Sequence, residues 1–263
     1  MSFFSVITIC RNNLKELKTT YQSLLDQSTV DYQWIVIDGL SSDGTKEWLT
    51  EIQAAQWISE KDDGIYDAMN KGIDRADGDY LIFMNSGDSF ASIDVLKKSK
   101  KEIESRNHPV FVYGDSIDIS EDGNKFYRKA KNHKKNWMGM ITQHQAMFFN
   151  RKALNGLNYD INFPLSGDYA FISKTLKDIV DTQILQLDFP ICNFSMGGVN
   201  ESRRFQAIKE DFAIRKNIIL IPYALNLLLY SLHYVHASLK KVTPSIRFLR
   251  HQANSGSLNS KQS

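Results

Sequence analysis

Cysteine is scarce in this sequence, whose 263 residues include only Cys10 and Cys192. So few cysteines argue against a disulfide framework and against a zinc site built from cysteines, and they are typical of a reducing compartment. The N-terminus enters the apolar stretch FFSVITIC directly, without a basic region or a small-residue cleavage site. We therefore expect no signal peptide and a cytoplasmic protein.

Excess charge of either sign is also lacking. The formal net charge at pH 7 is +2, which gives no electrostatic argument for a nucleic-acid partner. The chain is 42% hydrophobic and 24% charged, a balance typical of a globular protein with ample material for a core. We expect one large α/β domain with a C-terminal appendage. The composition leaves the oligomeric state open, so an oligomer is allowed.

No glycine-rich phosphate-binding loop follows the first predicted strand. That strand runs into TICRNN, residues 8–13. A dinucleotide-binding fold needs glycines at this point, and a P-loop needs a Gly-Lys-Ser/Thr sequence. A phosphate group must therefore be held in another way, if the protein binds one. A divalent cation on a carboxylate is the obvious route, because Mg²⁺ typically takes one or two carboxylates together with substrate phosphates.

Strand and helix patterns alternate over the first hundred residues, which predicts a parallel sheet with helices on both faces. Ligands of such sheets bind at the carboxyl ends of the strands. One polar strand end usually marks only the start of a loop, but four occur in succession. We therefore expect a shared rim formed by Asp38, Ser59, Asp62, Asp63 and Asp88. From about residue 107 the pattern changes to α+β.

Asp88 ends the stretch YLIFMNSGD, in which a buried strand runs straight into a carboxylate. A carboxylate beside a core is unfavourable unless something pairs with it. A metal ion is one such partner. The alternative interpretation is that Asp88 caps a helix predicted over SIDVLKKSKKEI, residues 92–103.

Three stretches, in this order and spacing, resemble a known family: SVITICRNN, WIVIDGLSSDGT and SEKDDGIYDAMNKGIDRADGDYLIFMNSGD. They are similar to the inverting family 2 glycosyltransferases with a GT-A fold, in particular bacterial members that build O-antigen, capsule or exopolysaccharide. ITQHQAMFFNR, SGDYAF and MGGVNESRR extend the resemblance to roughly residues 3–215.

The resemblance implies a fold of the α/β class. Residues 1–215 would form the GT-A domain, with a mostly parallel, Rossmann-like nucleotide-sugar-binding half over 1–106. An α+β acceptor half would occupy 107–215, and C-terminal amphipathic helices would follow.

Roles at individual positions follow from the same resemblance. Asp38 would contact the nucleotide base, with Thr8 and Arg11 lining the same pocket, and the segment around Lys71 would close over the donor. The full set implied for nucleotide and donor binding is Thr8, Arg11, Asp38, Asp63, Asn70, Lys71, Asn85 and Gly87.

Asp88 matches the last carboxylate of the DxD-type motif, which coordinates Mn²⁺ or Mg²⁺ on the donor diphosphate. The sequence departs from the common pattern here, because Asn85 and Gly87 stand where the family more often has acidic residues. The departure implies either a weaker metal affinity or a site for which one carboxylate is sufficient.

Asp168 in PLSGDYAF matches the catalytic base of the family. An inverting transfer needs a base to remove the proton of the acceptor hydroxyl, and it needs charge stabilisation of the departing diphosphate. Capping of a helix is the alternative role for Asp168, and the two are compatible. His144, Gln145 and Arg203 would lie near the acceptor or diphosphate. A packed structural histidine and a solvated arginine are the alternatives.

The stretch IILIPYALNLLLYSLHYVHASLKK, residues 218–241, is apolar enough to raise the question of a membrane span. Pro222, His233 and His236 interrupt it. A narrow polar stripe recurs along one helical face at Asn226, Tyr230, His233 and Lys240.

Four cations follow or close this stretch: Lys240, Lys241, Arg247 and Arg250. We therefore predict that 216–251 forms an amphipathic segment lying in the membrane interface. Packing on its own domain or on a second subunit is the first alternative, and spanning is the second. Residues 252–263 are polar and predicted to be disordered.

These observations predict an inverting glycosyltransferase at the cytoplasmic face of a bacterial inner membrane. It would transfer a sugar from a nucleotide-diphosphate donor, with a UDP-sugar favoured, to a polyprenyl-diphosphate-linked saccharide. A nucleotidyltransferase would need the glycine-rich loop that is missing. The rival from another class is a non-catalytic nucleotide-sugar-binding module. The NSGD motif, which has fewer acidic residues than the common family pattern, favours that rival. The presence of Asp168 at the position of the catalytic base disfavours it.

Overall fold

The computed structural model describes residues 2–52, 56–177, 179–197 and 203–242, with the backbone alone for 240–242. The predicted disordered tail over 252–263 lies outside the described residues, and so does the part of the amphipathic segment over 243–251.

Nine strands form one sheet within the described ranges. They are β1 (Phe4–Cys10), β2 (Tyr32–Asp38), β3 (Gln56–Ser59), β4 (Tyr80–Phe83), β5 (Ser89–Phe90), β6 (Phe111–Ile119), β7 (Lys125–Arg128), β8 (Met147–Asn150) and β9 (Ile184–Ser195).

The α-helices are α1 (Leu14–Leu25), α2 (Thr45–Ile52), α3 (Ile65–Arg75), α4 (Val95–Ser105), α5 (Gly167–Lys177), α6 (Arg204–Ile214) and α7 (Tyr223–Val242). Short 3₁₀ turns occur at His133–Met138, His144–Ala146 and Asp181–Gln183, and a π-helical turn at Arg215–Ile219 joins α6 to the chain before α7.

The strand order is β3-β2-β1-β4-β8-β6-β9-β5, with β7 paired to β6. Strands β3, β2, β1 and β4 are mutually parallel, and β8 then runs antiparallel to both β4 and β6. Strands β6 and β9 are parallel again, and β6 and β7 are antiparallel and form a hairpin. The predicted α/β class with a mostly parallel first part is thus confirmed.

Both faces of the parallel strands are buried, which explains why these strands read as continuous apolar runs. Val6 and Ile82 belong to the core on one face, where α1 and α4 pack. Ile7 and Phe83 belong to the core on the other face, together with side chains of α3 and α5. The alternation of successive residues between two cores follows from the two-residue period of a strand.

Parallel pairing brings the strand ends to one rim. Cys10 is in register with Asp38, and Asp38 is in register with Ser59. Helix α4 begins only at Val95, after β5, so the interpretation of Asp88 as its cap is wrong.

Helix α7 turns Asn226 and Tyr230 of its polar stripe toward the protein. Asn226 is 1% exposed, its Nδ2 donates to the Phe212 carbonyl at 3.0 Å, and its Oδ1 accepts from Arg215 Nε at 2.8 Å. Tyr230 packs edge-on against Phe212. Leu229 is buried as well, whereas five other apolar residues of the helix are exposed: Leu227, Leu228, Leu232, Val235 and Leu239.

The predicted amphipathic character of this helix therefore holds, with its polar side inward. No helix in the described part of the chain combines the length and the apolarity that crossing a bilayer requires.

Candidate active site

A cavity of about 2400 Å³ opens at the edge of the sheet where β1 and β4 end. Its wall also receives residues of α3, the 3₁₀ turn at His144–Ala146, α5, β9, α6 and α7. The predicted site residues that line it are Arg11, Asn85, Asp88, His144, Gln145 and Asp168. Side chains from distant parts of the sequence therefore meet at one place, where the carboxyl ends of parallel strands usually hold a ligand.

Asp88 follows β4 and is fixed at the cavity wall by two neutral donors. Its Oδ2 accepts a hydrogen bond from Gln145 Nε2 at 2.7 Å, and its Oδ1 accepts one from the Ser195 backbone N–H at 2.9 Å. Burial raises the pKa of Asp88 to about 7, although both hydrogen bonds act in the opposite direction. A carboxylate whose charge is penalised in this way favours a cation beside it.

Asn85 supplies a second oxygen in the same turn. Its carbonyl accepts the Asp88 backbone N–H at 3.0 Å. Its side-chain Oδ1 is buried and has no hydrogen-bond partner among the residues that the structure describes. A buried oxygen without a partner is unfavourable, so it indicates a group that the chain alone does not supply. Asp88 and Asn85 both offer the hard oxygen ligands that Mg²⁺ and Mn²⁺ prefer.

Side chains alone do not complete a metal site at this turn. Within the ranges that the structure describes, no three His, Cys, Asp or Glu side chains gather in a way that could hold an ion. Asp88 and Asn85 therefore suit a cation whose remaining ligands are phosphate oxygens and water, as is common for Mg²⁺.

Asp168 lies in the first turn of α5, half-buried at the cavity wall. Its Oδ1 accepts hydrogen bonds from the Tyr169 backbone N–H at 2.8 Å and from the Tyr66 hydroxyl at 3.3 Å. Burial raises the pKa of Asp168 to about 6, and the nearby carboxylate of Asp211 adds to the rise. A general base is most effective when its pKa lies near the working pH, so this carboxylate has the character of a base.

The sequence from residue 5 to residue 179 matches the family described as Glycosyl transferase family 2. The chain belongs to this family. The resemblance noted from the motifs is thus confirmed, and so is the assignment of the protein as a transferase enzyme.

Two relatives illustrate the range of sequence similarity. An uncharacterized glycosyltransferase of Mycobacterium tuberculosis is 30% identical over 213 residues, which cover 79% of this chain and 80% of that protein. A PGL/p-HBAD biosynthesis glycosyltransferase of Mycobacterium bovis is 29% identical over 179 residues, which cover 64% of this chain and 67% of that protein.

Solved structures establish the fold of this glycosyltransferase. S. aureus TarS 1-349 in complex with UDP-GlcNAc superposes with a TM-score of 0.65 at 15% identity, covering 89% of this chain and 72% of that chain. The mannosyltransferase PcManGT from Pyrobaculum calidifontis, in complex with GDP-Man and Mn²⁺, gives 0.61 at 14% identity and covers 95% and 79%. The predicted GT-A fold is therefore confirmed.

His144 and Gln145 line the cavity in different ways. His144 stacks on Phe83 with a centroid distance of 4.9 Å, and its Nε2 forms a 2.6 Å hydrogen bond with the Tyr159 hydroxyl. Burial lowers the pKa of His144 to about 3, so the ring is neutral at physiological pH. These contacts favour the packed structural histidine, whereas Gln145 acts on the site directly by orienting Asp88.

Thr8 is a correction to the sequence prediction. It is fully buried in the middle of β1, its Oγ1 donates to the Met84 carbonyl at 2.8 Å, and the same oxygen accepts from Trp34 Nε1 at 2.9 Å. The hydroxyl is therefore used inside the fold and does not line the cavity.

Asp38 stands at the predicted strand end but is fully enclosed. Its Oδ2 accepts from Ser59 Oγ at 2.6 Å and from the Ser41 N–H at 3.1 Å, and the Ser41 hydroxyl bonds to Oδ1. Contact with a nucleotide base would require Asp38 to exchange one of these hydrogen bonds. Its role in base recognition stays a prediction.

Helix α3 uses two of the predicted donor-binding residues for its own anchoring. Asn70 exchanges two hydrogen bonds with the backbone of Tyr159, at 2.8 and 3.0 Å. Lys71 pairs with Glu60 at 3.0 Å and with Asp67 at 3.3 Å. Neither Asn70 nor Lys71 reaches the cavity, so the structure does not place them at the donor.

Three further predicted residues do not line the cavity, although residues next to them in the sequence do. Asp63 is exposed, while Asp62 lines the cavity. Arg203 bonds to Gln206, while Arg204 lines the cavity. The third is Gly87, whose N–H donates to Thr20 Oγ1 at 3.0 Å within the loop after β4.

Sequence reasoning missed Tyr66 and gave His233 and His236 no role at the site, although all three line the cavity. Tyr66 lies on the buried face of α3, where an aromatic side chain indicates core packing. The two histidines interrupt an apolar helix, and that interruption was the available signal.

Replacement of Asp168 by asparagine separates the charge of this residue from its hydrogen bonds. The two neighbouring donors both bond to Oδ1, so the amide oxygen introduced by Asp168→Asn can accept them both. Because the native pKa is raised from 3.8 to about 6, the wild-type fold loses stability as the pH rises from about 4 through about 6. We expect Asp168→Asn to be more stable at pH 8 by at most about 3 kcal/mol, with no gain near pH 4.

Urea unfolding at pH 4, 6 and 8 measures this difference in the free energy of unfolding. The exposed carboxylate of Asp188 on β9 offers a control, because Asp188→Asn should give no comparable pH-dependent gain. A gain for Asp168→Asn that is equal at all three pH values would contradict burial as the source of the shift.

Proposed function

We propose that this glycosyltransferase transfers a sugar, with inversion, from a nucleotide-diphosphate donor to a lipid-linked saccharide in the biosynthesis of a surface polysaccharide. One observation carries the proposal: Asp88, which is buried, and Asp168, which is half-buried, are two carboxylates with raised pKa values that line one cavity. An inverting transfer requires a site for the departing diphosphate and a base for the acceptor, and these two carboxylates match the two requirements.

Asp88 and Asn85 would hold a divalent cation together with the donor diphosphate. The cation, when bound, acts as a Lewis acid that stabilises negative charge on the leaving diphosphate. Gln145 and the Ser195 N–H keep the carboxylate of Asp88 oriented for this purpose. Arg11, at the end of β1, lines the same cavity and offers a second positive charge to the nucleotide.

Asp168 would accept the proton of the attacking acceptor hydroxyl. With a pKa of about 6, the carboxylate is mostly ionised at neutral pH and still basic enough to take a proton. Rate should therefore fall as the pH drops below about 6.

The donor is proposed to be a UDP-sugar. TarS has been solved with UDP and with UDP-GlcNAc, and glucosyl-3-phosphoglycerate synthase of Mycobacterium tuberculosis with UDP and Mn²⁺. PcManGT was solved with GDP-Man instead. Uridine and guanosine nucleotides thus both occur on this fold, and UDP is the more frequent of the two among these structures.

Helix α7 supports a lipid-linked acceptor and a peripheral position on the cytoplasmic face of the membrane. His233, His236 and Ala237 line the cavity, while Leu228 and Leu232 of the same helix are exposed. An acceptor whose lipid stays in the bilayer would reach the cavity beside this helix. The sequence continues with further cations, which suit anionic headgroups.

Binding of UDP tests the metal role of Asp88. We expect Mn²⁺ to tighten UDP binding to the wild type, and Asp88→Ala to remove that gain, a loss of roughly tenfold or more. Titration calorimetry with and without Mn²⁺ measures it. Asp188→Ala, which removes another carboxylate lining the cavity, should keep the gain. Retained UDP binding by Asp88→Ala without Mn²⁺ shows that the variant is folded, and an unchanged response to Mn²⁺ would refute the assignment.

Turnover tests the transfer itself. Release of UDP from a panel of UDP-sugars, including UDP-GlcNAc, should be detectable with Mn²⁺ for the wild type. We expect Asp168→Asn to bind UDP as the wild type does and to turn over the donor about 10²–10⁴-fold more slowly. Equal turnover by Asp168→Asn would exclude it as the base. Binding without turnover of any donor, with membranes supplied as the source of acceptor, would favour the non-catalytic module.

Membrane binding tests the exposed face of α7. We expect the wild type to float with vesicles that contain anionic lipid. The double variant Leu228→Gln, Leu232→Gln should bind at least roughly tenfold more weakly, because it loses two exposed leucines that would enter the bilayer. The double variant Leu25→Gln, Val30→Gln alters exposed apolar residues elsewhere and should bind normally. A different outcome would contradict this prediction: the wild type does not bind vesicles and forms a dimer, whereas the α7 variant is monomeric. A second subunit would then cover this face.

A further inference from the structure

Tyr66 connects α3 to the start of α5 through Asp168. Its hydroxyl donates to Asp168 Oδ1 at 3.3 Å, and its side chain is 6% exposed. The distance is longer than the usual 2.7–2.8 Å between two oxygens. Hydrogen bonds at catalytic groups are often long before substrate binds and shorten in the complex.

The position of the Tyr66 ring depends on Gly167, the first residue of α5. A Cβ atom at Gly167 would approach the ring carbons of Tyr66 to within 2.6 to 2.8 Å, closer than real Cβ contacts allow. The ring of Tyr66 also stacks on Tyr159, with a centroid distance of 5.4 Å and an interplanar angle of 18°. Tyr159 is anchored in turn by its 2.6 Å hydrogen bond to His144. Tyr66 is thus held in one place by contacts from two directions.

The carboxylate of Asp168 is oriented by these contacts. Both neighbours that bond to it, the Tyr169 N–H and the Tyr66 hydroxyl, use Oδ1. Oδ2 receives no hydrogen bond from another described residue, so this oxygen is the one left for a proton from the acceptor.

We infer that Tyr66 is a positioning residue for the base, and that residue 167 is glycine because the Tyr66 ring occupies the space a side chain would fill. The inference rests on the proposed function, in which Asp168 accepts the acceptor proton. Tyr66 does not touch the reacting atoms in this scheme. It fixes the rotation of the carboxylate and stabilises its ionised form.

Several groups face Asp168, and they act in opposite directions. Tyr66 from α3 donates to the carboxylate and so favours its charged form, whereas Asp211 from α6 disfavours it. Tyr159, from the segment before α5, also lies close to Asp168, and the carboxylate of Glu210 on α6 lies close to Tyr66. Burial and Asp211 raise the pKa of Asp168, and the hydrogen bond from Tyr66 lowers it. Removal of the Tyr66 hydroxyl should therefore raise the pKa of Asp168 above about 6.

The titration of Asp168 tests the contact without any donor. Carboxyl ¹³C resonances of Asp-labelled protein are followed from pH 4 to pH 9, and the Asp168 signal is assigned by its absence in Asp168→Asn. We expect Tyr66→Phe to raise the titration midpoint of Asp168 by about one pH unit, because a hydrogen bond to a charged group is lost. Tyr159→Phe changes the neighbouring tyrosine of the same stack and should leave the midpoint within a few tenths of a unit.

Gly167→Ala provides a second variant that keeps the hydroxyl but displaces the ring. It should move the midpoint in the same direction as Tyr66→Phe. An unmoved midpoint in Tyr66→Phe, with normal unfolding stability, would overturn the inference.

Turnover of UDP-GlcNAc, or of whichever UDP-sugar the donor panel supports, links the contact to catalysis. We expect the acid limb of the pH profile of kcat/KM to shift to higher pH by about one unit in Tyr66→Phe. The value of kcat/KM should then be five- to tenfold lower than that of the wild type at pH 6, and the difference should be smaller at pH 8.5. The KM for the donor should be unchanged. A loss that is equal at every pH would overturn the positioning role.

Two outcomes separate this inference from the proposed function. If Asp168→Asn abolishes turnover while Tyr66→Phe leaves the acid limb in place, Asp168 is the base and the role of Tyr66 is wrong. If Asp168→Asn retains turnover, the base assignment fails, and the inference about Tyr66 fails with it.

Discussion

The withdrawal of two carboxylates from water, one fully and one in part, against neutral partners is the constraint on which the site depends. Asp88 is held by an amide and a backbone N–H, and Asp168 by a hydroxyl and a backbone N–H. Such partners orient a carboxylate without neutralising it, so the charge stays unfavourable and the pKa values rise. The proposed cation site at Asp88 and the proposed base at Asp168 would both make use of this unfavourable charge.

The sheet topology explains how two such carboxylates come together. Asp88 follows β4, the last of the four mutually parallel strands in the first part of the chain. Asp168 lies at the start of α5, which packs on the same core face as α3. Helix α7 then lines the cavity with His233 and His236 and exposes Leu228 and Leu232. One helix thus carries both part of the cavity wall and the surface proposed to meet the membrane, an arrangement that would bring a lipid-bound acceptor close to the proposed base.

Much of this fold was accessible from the sequence, because buried parallel strands produce apolar runs and strand ends produce polar breaks. The strand-end rule also placed Asp88 correctly at the cavity, and the resemblance placed Asp168 there. Side-chain direction was not accessible in the same way. The hydroxyl of Thr8 forms hydrogen bonds inside the sheet, and Asn70 anchors a loop that is distant in sequence. The polar stripe on α7 could not show which side of the helix faces the protein, because periodicity defines a face but not what packs against it.

The thinned NSGD motif has a conformational explanation. Gly87 adopts φ +97°, a left-handed conformation that an acidic side chain would adopt only with strain. In this turn the Gly87 carbonyl accepts from Ser195 Oγ at 2.8 Å, and the next residue, Asp88, accepts from the Ser195 N–H. The glycine therefore makes the contact between β9 and the motif possible, and that contact holds Asp88 in place. An acidic residue at position 87 would add a charge, but it would also destabilise the turn that orients the carboxylate of Asp88. The departure from the acidic pattern is therefore consistent with the proposed cation site, which would use the carboxylate of Asp88 and the side-chain oxygen of Asn85.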